Sequence, residues 1–451
     1  MKEALLCLYN KCWNGQQLPP IWRLAIIKPL LKDGKDPKLT TSHRPISLTS
    51  CPGKGLEKIL ADRLTYLLES RGVLNDCQAG FRQNRCTTDQ VLKLTQEAID
   101  LVNGEGVSFT TVTLFDYEKA YDKVWREGLL HKMQELGLPH RFLRYTRMFL
   151  SSRKARVAVN GTWSGSIQLN QGLPQGSAIS PVLFLCFIND ITVNLDPATT
   201  AGLFADDTAI WRCGDVKPTT PQTIATPTVE PSITDAAEPD VTGETADSTG
   251  VPEPVTPSRK RKRKKKKKRS PKRRKAVDKR ERAMKINQEA MQTDVDRITE
   301  WARTWKMSLN VDKTKVMVLS SNPEENKWEP VLLANGQRID VTSQNPFLGF
   351  QAGNDLRGKE HVQKSVTKAS KRVCILRCLS SKDWANQHET QRNLYIGYTR
   401  PLMEYASPGW NGLISPTQRE RLQKIQNQAC RVIGSLAKMC PIDFLHFGDR
   451  H

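Results

Sequence analysis

The chain has 451 residues, 38% of them apolar, and a formal net charge of +22. It is long enough to bury a sizeable core, and its longest unbroken apolar run, Val182 to Ile188, is far too short to cross a bilayer as a helix, which argues against a membrane. Eleven cysteines, with no CxxC pair and no secretory leader, read as ordinary buried thiols of a reducing compartment. Cys430, Cys440, His446 and His451 fit none of the usual zinc spacings.

In chain order, residues 107–115 read as a buried strand ending at Asp116, and 128–138 and 140–150 as helices. Residues 156–169 read as a hairpin whose turn is Asn160-Gly161. A loop containing Gly and Pro, 171–177, leads into an apolar helix from Ala178 to about Ile191. Strand, acidic turn and strand follow: 201–205, the pair Asp206-Asp207, and 208–211. Residues 214–258 are rich in Pro and Thr and too poor in large apolar side chains to fold. The next stretch, 259–275, carries fifteen Lys or Arg and no acid, so it should repel itself and extend. The remaining chain still carries +14, a surface suited to a polyanion such as nucleic acid. Beyond the break, Met284, Met291, Val295, Ile298 and Trp305 recur at helical spacing, the helix ending near Leu309. Residues 315–319 read as a strand. The last third is mostly helical, with Leu422, Ile425, Ala429 and Ile433 forming a packing stripe.

An Asp-Asp pair between two apolar strands invites two explanations. Asp caps turns readily. Alternatively, the pair meets Asp116 at one sheet edge, where three carboxylates repel unless a cation neutralises them. Such an oxygen set suits Mg²⁺ and phosphoryl transfer.

The surrounding motifs favour the second explanation. Phe204-Ala-Asp-Asp207 resembles the F-A-D-D box of reverse transcriptases from non-LTR retrotransposons, particularly Jockey-like LINE elements. Phe115-Asp-Tyr-Glu-Lys-Ala-Tyr-Asp-Lys-Val-Trp125 resembles the first aspartate motif of that family. Gln171-Gly-Leu-Pro-Gln-Gly-Ser177 is similar to its Pro-Gln-Gly motif. Pro29-Leu-Leu-Lys-Asp-Gly-Lys-Asp-Pro37 and His43-Arg-Pro-Ile-Ser-Leu48 resemble the two fingers motifs, and Gln78-Ala-Gly-Phe-Arg82 the segment after them. Leu309-Asn-Val-Asp-Lys-Thr-Lys315 and Phe347-Leu-Gly349 resemble the later palm motif and the primer grip.

The resemblance implies an α+β right-hand polymerase. Its expected parts are fingers over 1–105, a palm over 106–213 and 281–352 with an antiparallel sheet, and a helical thumb over 353–451. A disordered insertion over 214–280 would interrupt the palm; a surface excursion of that length need not disrupt the fold, because closure entropy grows slowly with loop length. The implied activity is RNA-directed DNA synthesis from an RNA template, a DNA primer and dNTPs. Two Mg²⁺ ions, or Mn²⁺ in their place, would be held by Asp116, Asp206 and Asp207 as the catalytic aspartates. Lys32 and Arg44 are implied to grip the triphosphate, and Gln175 with Gly176 to meet the nucleotide. Lys313 would lie near the leaving pyrophosphate, and Tyr121 would exclude a 2′-hydroxyl. An RNA-dependent RNA polymerase usually places an acid where Tyr121 stands, and Asp122 is one residue on. A non-catalytic nucleic-acid-binding remnant is the rival from another class. The 259–275 run is open to three readings: a nuclear signal read by importin, a nucleic-acid tether, or an accident of gene assembly. Nuclear residence with a cytoplasmic pool is the expected localisation. The chain starts just ahead of the fingers motifs, so the expectation is polymerase activity without the endonuclease that autonomous transposition needs.

Overall fold

The computed structural model describes residues 2–15, 17–102, 109–214, 271–380, 388–437 and 439–441. Residues 1–216 and 281–451 belong to one unit, and 217–280 to a second.

Two five-stranded sheets organise the first unit. In one, Leu24–Leu31 lies between His43–Leu48, antiparallel to it, and Arg153–Val159, parallel to it. Arg153–Val159 also pairs with Thr162–Trp163 and Ile167–Leu169. Val159 pairs with Thr162, so Asn160 and Gly161 form the two-residue turn expected from the sequence. Both have positive φ, 48° and 81°, which matches the strand twist and suits Asn-Gly.

The second sheet has Thr110–Phe115 at its centre. Asp207–Cys213 and then Thr199–Phe204 lie to one side, and Lys315–Leu319 and Asp340–Val341 to the other. It is antiparallel except for its last pair, Asp340–Val341 on Lys315–Leu319, which runs parallel; the expected all-antiparallel sheet is corrected there. Strand alternation sends Phe115, Ile210 and Val316 into one core, with Phe184, Met291 and Val295. Val112, Trp211, Met317 and Leu319 point into the other core, with Val91, Leu94 and Trp410. The middle strand is covered on both faces.

The apolar helix is Ser180–Ile188, shorter than the 178–191 expected, with Pro181 in its first turn. Every residue of it but Pro181 is buried, as an all-apolar helix requires. The long helix after the break runs Pro271–Thr304. Met291, Val295 and Ile298 on it are fully buried. It ends before Leu309 because Lys306 takes φ 58°, a left-handed stop that Gly usually provides. Of the expected disordered insertion, 215–270 lies outside the described residues, and 271–280 is helical where an extended basic chain was expected. Helices Lys359–Leu379 and Pro416–Ile433 dominate the C-terminal part, and Ile425 and Ala429 of the predicted stripe are buried between them. The thiols are not uniformly buried. Cys7, Cys51, Cys86, Cys374 and Cys378 are exposed, and only Cys12 and Cys186 are fully enclosed. No helix among the described residues is long and apolar enough to cross a membrane. His446 and His451 lie outside the described residues.

Candidate active site

Strand register brings the three aspartates together. Phe204 pairs with Asp207, leaving Ala205 and Asp206 as a two-residue turn. Phe115 pairs with Thr208, so Asp116 leaves its strand beside Asp207. Ala205 has φ 57°, costing an L-residue about 1 kcal/mol, and the surroundings enforce it. The Gln78 side-chain oxygen accepts from Ala205 N (3.0 Å) and Gly80 N (2.7 Å). Ala79 N donates to Leu203 O and Leu203 N to Cys77 O, both at 2.9 Å. A Cβ on Gly80 would sit 2.3 Å from Ala205 N, so only glycine lets the two segments approach this closely. The Gln78-Ala-Gly-Phe-Arg82 segment is therefore the scaffold of the acidic turn. Its own hold comes from Arg82, which makes a two-pronged pair with Glu69 at 2.8 and 2.6 Å.

Asp116 is fixed from the other side. Its N–H donates to Thr314 Oγ1 (3.3 Å), and its carbonyl accepts from Asn310 N (2.8 Å). Lys313 Nζ lies 3.4 Å from Asp116 Oδ2, so the lysine implied to meet the leaving pyrophosphate stands beside the carboxylates.

Asp206 and Asp207 reach solvent at the turn but are crowded by protein behind them. That partial desolvation raises both carboxyls, and the negative charge of Asp116 adds to it. Asp207, which also feels Asp206, is pushed up to about 6. Among the described residues, no three His, Cys, Asp or Glu side chains yet converge to ligand distance. The aspartates are neighbours by backbone register, with Asp116 turned onto Lys313. The donor set fits a hard divalent cation: all-oxygen, anionic, mutually repelling and open to solvent. A cation there would relieve the repulsion that raises the two carboxyls.

Tyr121 stacks on Phe184, ring centroids 4.5 Å apart and 14° from parallel. Its buried hydroxyl has no hydrogen-bond partner and is held above the usual phenol range by burial and then by Asp206. The ring thus stands beside the acidic turn, locked by the apolar helix. Gln175 Nε2 donates to Asp122 Oδ1 at 2.9 Å, so the residue after Tyr121 is committed to the loop carrying Gln175. Gly176 takes φ +104°, where a Cβ would meet Ser47 O at 2.8 Å.

The two cations expected at the triphosphate are not joined to the aspartates by any hydrogen bond or ion pair among the described residues. Lys32 Nζ donates to Thr41 O at 3.0 Å, and Arg44 is exposed on strand His43–Leu48. That strand does touch the loop, since Ser47 N donates to Gln175 O at 2.8 Å. Sequence reasoning missed two side chains, Glu57 and Arg126, and gave no role to Gln78 within the motif that holds it. Each contacts residues far along the chain, and no local spacing marks them.

Residues 31–218 match the family model described as reverse transcriptase (RNA-dependent DNA polymerase). That span is similar to reverse transcriptases. The relatives of the chain come from transposons and other mobile elements. The chain is 24% identical to a probable RNA-directed DNA polymerase from transposon BS of Drosophila melanogaster, over 95% of the chain and 40% of that protein. It is 22% identical to the probable RNA-directed DNA polymerase from transposon X-element of the same fly, over 96% of the chain and 40% of that protein. The RNA-directed DNA polymerase from mobile element jockey, also of D. melanogaster, is 30% identical over 46% of the chain and 23% of its own length. The chain thus spans about two-fifths of the first two relatives. The matched reverse transcriptase span holds every candidate residue except Lys313. The fold seen here is mixed helix and sheet.

Proposed function

We propose that the chain is an RNA-directed DNA polymerase that extends a DNA primer on an RNA template by attack of the 3′-hydroxyl on the α-phosphate of a dNTP. The observation that carries this reading is the strand register that sets Asp116, Asp206 and Asp207 side by side at one sheet edge, where partial desolvation and like charge leave two carboxyls raised and suited to a cation. Asp116, Asp206 and Asp207 would hold two Mg²⁺, or Mn²⁺. When bound, such ions neutralise charge on the attacking and leaving oxygens.

The chain's own residues bind and orient. The sheet with Leu24–Leu31 and His43–Leu48 serves as fingers, the second sheet as palm, and the helices after Lys359 as thumb. Lys32 and Arg44 draw the triphosphate, Arg by a two-pronged grip. Gln175 and Gly176 face the nucleotide. Lys313, 3.4 Å from Asp116, would serve the leaving pyrophosphate. Tyr121, fixed by Phe184, leaves no room for a 2′-hydroxyl, which excludes ribonucleotides by clash. With Tyr121 at that position, DNA synthesis is the better reading. The basic run, through importin or through nucleic acid, directs the chain to the nucleus after cytoplasmic synthesis.

Primer extension on RNA with Mg²⁺ tests this. Wild type should extend with dNTPs, Asp206→Ala should not, and Tyr121→Ala should narrow the preference for dNTPs over rNTPs by at least about tenfold. RNA binding without extension would leave a non-catalytic remnant, and extension with rNTPs alone an RNA polymerase. Deleting 215–270 should leave extension intact and lower nuclear accumulation; unchanged localisation would remove the signal.

A further inference from the structure

The loop carrying Gln175 is anchored by two charged side chains outside every motif that identifies the family. At its start, Arg126 spends its whole guanidinium on carbonyls. Nη2 donates to Gln171 O (2.9 Å), Nε to Gly172 O (3.0 Å), and Nη1 to Leu169 O (2.8 Å) and Leu150 O (2.7 Å). At its end, Glu57 on helix Cys51–Ser70 reaches in, with only 3% of its surface exposed. Its Oε2 accepts from Ser177 Oγ at 2.6 Å and from Ala178 N at 2.9 Å.

Burying a carboxylate is costly. An ionised acceptor makes shorter and stronger bonds than a neutral one. Burial raises the Glu57 carboxyl above its ordinary value; the hydrogen bonds from Ser177 and Ala178, and then the charge of the fully buried Arg153, oppose that rise. Between the anchors, the loop is tied to both nucleotide-facing elements. Leu173 N donates to Tyr121 O at 2.7 Å, and Ser47 N to Gln175 O at 2.8 Å. Moving the Ser177 end would therefore shift Gln175 and loosen its bond to Asp122.

We propose that Glu57 is a positioning residue for nucleotide binding: by fixing Ser177 and Ala178 it holds Gln175 and Gly176 toward the incoming dNTP. Nucleotide affinity then depends on a helix that itself touches no substrate. The inference rests on the polymerase reading above.

Steady-state extension by the full chain, with dNTP varied at saturating primer-template, tests it. Glu57→Ala should raise KM for dNTP about tenfold while kcat changes less than about threefold, since the loss falls on a bonded pair left unmatched. Glu57→Gln, whose amide oxygen can accept both hydrogen bonds, should recover KM to within about threefold of wild type. A merely structural residue would lower kcat with the folded fraction and leave KM alone. A Glu57→Ala protein that keeps its thermal transition and RNA binding, yet shows wild-type KM, overturns the proposal. Should Glu57→Ala fail to fold, Ser177→Ala removes one of the two bonds and should raise KM about threefold; an unchanged KM there is equally fatal. Wild type that cannot extend a primer refutes the polymerase reading and this inference with it. Active wild type with indifferent variants refutes this inference alone.

Discussion

The acidic turn and the pocket around Lys132 hold charge in opposite ways. At the turn, three carboxylates sit together with one exposed cation, Lys313, at 3.4 Å. In the pocket, Lys132 on helix Arg126–Glu135 is 3% exposed and almost fully matched. Its Nζ donates to Phe187 O at 2.7 Å and to Asp190 Oδ1 at 2.5 Å. The rings of Trp305, Trp301 and Phe187 surround it at 3.8, 4.5 and 5.1 Å. Trp301 Nε1 shares the same Asp190 oxygen at 2.9 Å. One cluster leaves charge uncompensated and open to solvent; the other satisfies it internally. Unmatched charge marks the place where a ligand completes the protein, and matched charge marks architecture.

The sharpest way to break this contrast is to neutralise one carboxylate at the turn. Asp206→Asn should cut extension at least about 10³-fold. In metal-free buffer near neutral pH the same protein should melt about 2 °C higher, because repulsion is relieved. A lower melting temperature would mean that Asp206 has a structural partner.

Next in size is the pocket. Lys132→Ala should cost about 3 kcal/mol in urea unfolding, since it strands Asp190 and empties the aromatic cage. Lys132→Met, which refills the cage, should cost less than about 1.5 kcal/mol. Equal losses would show that the charge, rather than the fit, holds the helices together.

The smallest effect is in pH, where the two clusters should pull in opposite directions. Asp207 is raised from 3.8 to about 6, so the folded, metal-free chain binds a proton more readily than the unfolded chain. Its contribution is fully present below pH 3.8 and is lost as pH rises through about 6. Lys132 is lowered from 10.5 to about 8 by burial, against the pull of Asp190. The folded chain releases that proton first, and stability gains as pH rises from about 8 to 10.5. Unfolding free energy measured against pH should lose part of its acid slope in Asp207→Asn, the rest being that of Asp206, and its alkaline slope in Lys132→Met. A slope that survives its own substitution belongs to another group.

Much of this was legible beforehand because it is written locally. Asn160-Gly161 specified its hairpin, apolar runs marked the strands read over 107–115 and 315–319, and Asp206-Asp207 between apolar runs marked a turn, which falls one residue earlier at Ala205-Asp206. What escaped was long-range. Glu57 meets Ser177 across 120 residues, and Gln78 meets Ala205 across 127. No periodicity encodes such a contact. The end of the helix at Thr304 was invisible because Lys306, not glycine, takes the left-handed turn. The cysteines misled because composition reports their number and not which helix faces they occupy.

The middle strand of the palm sheet carries a consequence for synthesis of the chain. Thr110–Phe115 bonds on one side to Asp207–Cys213 and on the other to Lys315–Leu319, and Asp116 N waits for a hydroxyl 198 residues downstream. While the ribosome is still translating the basic tract, that strand presents a bare edge of Thr and Val with no lawful partner in the same chain. Nascent polypeptides stalled in the tract, or messages truncated there, should yield sticky, protease-sensitive products.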